Sequence, residues 1–230
     1  MAARSISTIE DIKRRQVQKR KLQVVPPEKP GAGEAIGVIA VALLIMSALF
    51  VKMPYRGLFY NAIYTTIALS GFFAYIKFRL RIQPPLLMIA CPAIAVLIDV
   101  IGNHFGLFSV TFGILPYDVF AHFLGTGLCF VAVMWLVSAI IERFNYRLPS
   151  AMVTFFAIAT TFALSAFYEI TELWDEDFFN GHRIWSTHDT SHDLASDISG
   201  TLIMAAIYVL ITRARRKKER VPARKVHSIT

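Results

Sequence analysis

Six long apolar runs, at about 35–52, 57–76, 86–104, 118–141, 151–174 and 192–212, constrain this chain more than any other feature. Each approaches the roughly 20 mostly apolar residues that a helix needs to cross the hydrocarbon of a bilayer. Backbone amides there have no water to bond, so such a segment becomes a helix rather than a loop or an open strand. Apolar residues make up 55% of the 230, and they lie in runs too continuous for a water-soluble two-domain protein. The expected fold class is therefore all-α: a polytopic bundle of six transmembrane helices with short connections, filling residues 31–212.

Charge gives the bundle an orientation. The net charge of +8 sits mostly in two tails, with eight Lys or Arg before Gly31 and eight after Thr212. Positively charged flanks stay in the cytoplasm. A basic arm over 1–30 and a basic tail over 213–230 are thus both expected there, as an even number of spans requires. Lys77, Arg79 and Arg81 after the second run, and Arg143 and Arg147 after the fourth, agree. On the opposite side, residues 105–117 carry no base and 175–191 only Arg183, while Lys52 and Arg56 are the exception. Basic segments beside a span attract anionic lipid headgroups, so membrane lipids are the expected partners and nucleic acid is not.

No cleaved leader is expected, because some thirty polar or basic residues precede the first run. The location is a cell membrane, the bacterial inner membrane by preference, in a multi-pass arrangement. No sequence signal sets the oligomeric state. Cys91 and Cys129 both fall inside spans, where they read as packing residues rather than a disulfide or zinc motif.

Prolines and glycines mark the punctuation. Pro84-Pro85 and Pro149 introduce the third and fifth spans, a position that tolerates proline. Pro92 is expected to kink or open the third. Residues 105–117, broken by glycine, read as an outer loop or re-entrant cap. The acidic, aromatic stretch from Trp174 to Ser191 is expected to lie over the outer mouth of the bundle.

Four spans carry polar residues three or four apart near their outer ends, a spacing that puts them on one helix face. They are Asp99 and Asn103 followed by His104, then Asp118 and His122, then Glu169 and Glu172 beyond Ser165, and finally Asp189, Asp193 and Asp197 with His188 and His192. Simpler roles exist for some: Asp118 as a helix cap, Thr190 with Asp193 as a capping pair, Asp189 at a positive helix end. Capping does not explain Asp197, two turns inside the run. Ionisable groups at this depth are costly and mark functional sites by default. Ala121, Gly125 and Gly127 in the fourth span, and Ser196 and Gly200 in the sixth, are small enough to let the two helices approach.

Carboxylate oxygens and imidazole nitrogens without thiolates suit zinc, manganese, iron or magnesium. The expected divalent-metal ligands are Asp118, His122, Asp189, Asp193 and Asp197, with Glu169 and Glu172 as catalytic proton acceptors. The matching function is a metal-dependent hydrolase or transferase acting on a lipid or lipid-linked substrate. Two other classes fit the same residues: a proton- or ion-coupled carrier, and a non-catalytic membrane protein whose polar network fixes helix packing.

The segments Leu115-Pro116-Tyr117-Asp118 with His122 and Gly125, Ser165-Ala166-Phe167-Tyr168-Glu169 with Glu172, and Asp189-Thr190 with Asp193, Asp197 and Gly200 resemble the pattern of YjdF-like bacterial inner-membrane proteins. More distantly they resemble the VanZ-like family. The resemblance covers roughly 85–212 and departs from its pattern where His188-Asp189-Thr190-Ser191 stands in place of Trp-Asp-Thr-Gln. It implies a multi-spanning membrane fold and no established reaction.

Overall fold

The computed structural model describes residues 32–50, 56–181, 183–184, 186 and 188–220. The arm expected over 1–30, the tail beyond 220, and Lys52, His182, Trp185 and His227 lie outside the described residues. Contacts divide the chain into Met1–Ala32 and Gly33–Thr230, and the bundle belongs to the second.

Among the described residues there are six α-helices: α1 (Ala32–Phe50), α2 (Arg56–Phe78), α3 (Leu86–Phe105), α4 (Tyr117–Arg143), α5 (Ser150–Phe179) and α6 (Asp189–Arg220). Prolines start three of them. Pro85, Pro116 and Pro149 hold the preceding position at φ −62°, −60° and −57°, close to the value that the ring imposes. Left-handed residues stop two: Gly106 at φ 66° ends α3 and Asn180 at φ 54° ends α5. The third helix continues through Pro92.

Four helices are long and apolar enough to cross a bilayer: Leu86–Phe105, Tyr117–Arg143, Ser150–Phe178 and Asp189–Arg215. Among the described residues the first two helices offer shorter apolar stretches, Glu34–Met46 and Thr65–Phe78. Two helices outrun their expected bounds. The fifth extends past Trp174 to Phe179, and the sixth begins at Asp189 and runs through Arg213 to Arg220. Hydropathy falls at those charges, but a helix needs only its i to i−4 bonds and can carry polar residues beyond the apolar window.

The 105–117 segment is a compact connection rather than a span. A single 3₁₀ turn, Leu107–Ser109, leads into a two-residue antiparallel ladder, β1 (Thr111–Phe112) with β2 (Leu115–Pro116). Tyr117 anchors it: the buried ring meets Phe108 edge-on at 5.2 Å and its hydroxyl donates to Ile98 O at 2.7 Å.

The fourth helix is central, packing against α3, α5 and α6. One apolar cluster joins Phe130, Val133 and Met134 of α4 to Val153 and Ala157 of α5 and Ala205 of α6. A second joins Ala40 and Leu44 of α1 to Ala90, Ala93 and Leu97 of α3. Large apolar side chains also cover the outside, Phe155, Leu210 and Ile67 among them. Exposed apolar area on this scale suits lipid rather than water.

Candidate functional site

The polar residues gather where α3 and α5 finish and α4 and α6 begin. A close helix crossing makes this possible. A Cβ built on Gly200 of α6 would lie 2.0 Å from Phe123 O of α4, so no larger residue fits without moving a backbone. Gly127 faces Gly200 O from its own ideal Cβ at 3.5 Å, while Gly125 instead faces Ala95 of α3. Thr126 ties the crossing by donating to His122 O at 2.7 Å and lying 3.1 Å from Asp197 O. The small residues thus bring His122 and Asp197 within side-chain reach.

His122 is the hub. Its Nδ1 lies 3.2 Å from Asp197 Oδ1 and 3.8 Å from Glu169 Oε1, and its Nε2 lies 3.6 Å from Asp118 Oδ1 and 3.7 Å from Asp193 Oδ1. One imidazole therefore separates two acid pairs. Asp118, His122 and Asp193 form one set of donor atoms within 4.8 Å of one another, and His122, Glu169 and Asp197 form another. The Asp197 side is deeply enclosed: Asp197 is 1% exposed, and its second carboxylate oxygen accepts a short hydrogen bond from Ser165 Oγ. By contrast, Asp118, His122 and Asp193 line a polar pocket together with Glu172, Arg183 and Asn103.

The acids are not satisfied by hydrogen bonding alone. Glu169 and Asp193 are 5% and 3% exposed, yet both carboxylate oxygens of Glu169 and Oδ1 of Asp193 lack a hydrogen-bond partner among the described residues. A buried acceptor left so carries a desolvation cost of about 1–3 kcal/mol, more if charged. One imidazole facing four carboxylates can offset at most one negative charge.

Arg183 is the residue that sequence reasoning passed over, having entered it only as a lone base in an acidic segment. Its Nη2 contacts Glu172 Oε1 at 2.5 Å, Asp99 Oδ1 at 2.9 Å and Tyr168 Oη at 2.5 Å. The guanidinium carbon also stands 5.3 Å from the centre of the Tyr168 ring, within cation–π range. The usable signal was that isolation: a single cation following a helix end rich in acids has those acids as its nearest partners. Asn103 shares that Asp99 oxygen, its amide donating to Oδ1 at 2.9 Å.

Of the seven expected site residues, Asp118, His122, Glu169, Asp193 and Asp197 meet around the one ring. Glu172 sits beside them on the pocket wall, paired with Arg183. Asp189 is the first residue of α6, partly exposed, and belongs to neither donor set. Asp118 does not cap its helix: no side-chain cap bond forms at Pro116, and the carboxylate faces His122 instead. His104, His188 and His192 are exposed.

Residues 35–214 match the family described as "Predicted membrane protein (DUF2238)". Comparison with curated proteins and with solved structures found no match.

Proposed function

The chain belongs to this family of predicted membrane proteins, and from that premise we propose that it is a metal-dependent hydrolase or transferase acting on an ester or phosphoryl group of a lipid or lipid-linked substrate. The observation that carries the reading is the division of labour around His122. Neutral imidazole has one N–H and one lone pair. With Nδ1–H donated to Asp197 across 3.2 Å, the lone pair stays on Nε2, the nitrogen that faces Asp118 and Asp193 on the pocket side. A carboxylate that holds the far nitrogen of a ligating histidine is a recurrent support for metal sites.

The donor set fits a divalent cation. Two carboxylates and an imidazole within 4.8 Å suit zinc, manganese, iron or magnesium, and the partnerless Oδ1 of Asp193 is an acceptor that such an ion satisfies. Asp118, His122 and Asp193 are the proposed ligands, with Asp197 orienting the ring and Asp189 within the first turn of the same helix. When bound, the ion supplies Lewis acidity toward a water and toward the ester oxygen. Glu172 accepts the proton that the attacking water loses. As the new bond to the acyl carbon or phosphorus forms, the ester bond to the alcohol breaks, and that proton leaves with the alcohol. In a transfer, a second alcohol stands where the water did. Glu169, behind the ring, is the reserve acceptor.

The remaining features complete the proposal. All six apolar helices span, both termini face the cytoplasm, and the pocket opens to the exterior face of a bacterial inner membrane. The basic extension of α6 rests among anionic headgroups. The YjdF-like resemblance covers the motifs that supply Asp118, His122, Glu169, Asp193 and Asp197 and adds weight to these residues without naming their reaction.

Purification in mild detergent followed by elemental analysis is the test. One divalent ion per chain is expected, lost in His122→Ala and in Asp193→Ala while both variants keep their helical signal and elution volume. Folded wild-type protein that takes up none of the four metals sinks the proposal.

A further inference from the structure

We propose that Arg183 and the Asp118, His122 and Asp193 set form two jaws of a clamp for a phosphoryl group, so that the substrate is a phosphate ester rather than a neutral carboxylic ester. The inference rests on the metal-site reading above and narrows its substrate.

The loop after α5 is built to deliver this guanidinium. Asn180 turns the chain at φ 54°, and Gly181 lies so close to Asp175 that an added Cβ would stand 2.4 Å from its carboxylate. One Glu176 oxygen then accepts the backbone N–H of Arg183 at 3.0 Å and that of Ile184 at 2.7 Å. The outcome is an arginine 7% exposed within a surface connection. Neutralising Glu172 and Asp99 is one role for it, but a compact ammonium would meet that need. A planar guanidinium that shares a pocket wall with a candidate metal site adds what an ammonium lacks, a fork matched to two oxygens of one oxyanion. A pairing of cationic side chain and metal ion across one cavity is how phosphoryl oxygens are held while their charge rises. A neutral carboxylic ester carries such charge only in its tetrahedral intermediate, whereas a phosphate ester already carries it when it binds.

Charge also sets an order of binding. Counting each acid as ionised, Asp118, Glu172 and Asp193 on the pocket wall and Asp99 beside Arg183 leave a net three negative charges against that one cation, and a divalent ion lowers them to one. An anion entering before the metal is repelled. Phosphate should therefore bind only to metal-loaded protein.

The test is calorimetric titration of inorganic phosphate into the full chain in detergent, with and without the metal identified by elemental analysis. The metal-loaded wild type should bind and the metal-free protein should not. Arg183→Lys, which keeps the charge and loses the fork, should weaken phosphate by about tenfold or more with one metal per chain retained. The double variant Arg183→Gln with Glu172→Gln removes the cation together with its nearest carboxylate, protecting the fold, and should weaken it likewise. Displacement by phosphatidic acid in phosphatidylcholine nanodiscs, and not by phosphatidylcholine alone, upholds the clamp and assigns the phosphate to a lipid. Displacement by glycerol phosphate alone upholds it and assigns a soluble ester. Unchanged phosphate affinity in both variants, or equal binding without metal, overturns the clamp and leaves the metal site standing. A chain that holds no metal removes both.

Discussion

The two ends of α4 are built from different materials. At one, His122 meets acids contributed by its own helix, α5 and α6; from about 12 Å further along, Phe130, Val133 and Met134, with Val137 and Ile141 toward the far end, pack with apolar residues of the same two neighbours. In water the second region would be the stabilising one. In a bilayer an apolar side chain leaving its neighbour finds lipid of equal character, so apolar contact favours association only through fit. A carboxylate or imidazole has no such alternative and must find its partners within the protein. The apolar end is therefore permissive, and the polar end decides which helices meet and in what register.

Three substitutions probe this contrast. Gly200→Ala should have the largest effect, since its methyl would stand 2.0 Å from a backbone oxygen that cannot yield like a side chain. We expect a loss above the usual 1–3 kcal/mol of overpacking, roughly 3 or more, read as a lowered unfolding midpoint by tryptophan fluorescence in detergent. A variant as stable as wild type would mean that the crossing does not hold the polar end together. Phe130→Ala comes next. Phe→Ala in a water-soluble core costs about 3–5 kcal/mol; with lipid as the alternative surroundings the transfer part falls away, leaving about 2, with metal content unchanged. A full soluble-core penalty in the same fluorescence assay would place the stabilising region at the apolar end after all. Asp197→Asn is the subtlest change, because it keeps the shape and alters the charge and the hydrogen bonds to His122 and Ser165. Metal affinity, titrated with a competing chelator, should fall about 10–100-fold. Unaltered affinity with a lowered unfolding midpoint would move Asp197 to the packing side of the comparison.

Hydropathy made the middle of the bundle legible: the bounds of 86–104 and 118–141 fall within two residues of those of Leu86–Phe105 and Tyr117–Arg143. The far end of α5 and the near end of α6 were not, because charged residues close a hydropathy window without closing a helix. Within the site, Asp118 with His122 and Asp193 with Asp197 were readable from spacing by four, and Gly200 from its size. Arg183 was beyond such reading. Its place depends on a left-handed Asn180, a crowded Gly181 and two bonds to Glu176, none of which follows a period. The hydrogen bond from Ser165 to Asp197 joins two residues 32 apart in sequence, and only the packing of α5 against α6 brings them together.

One five-membered ring stands between the two acid pairs, and this limits the molecule's capacity. Each nitrogen serves one side, and filling both sides at once would require the neutral imidazole to surrender its one N–H proton. With Nδ1–H donated to Asp197, as the metal-site proposal has it, the cluster of five ionisable groups takes a single ion. On that proposal, the excess of acids ranks incoming ions by charge and size instead of storing them in number.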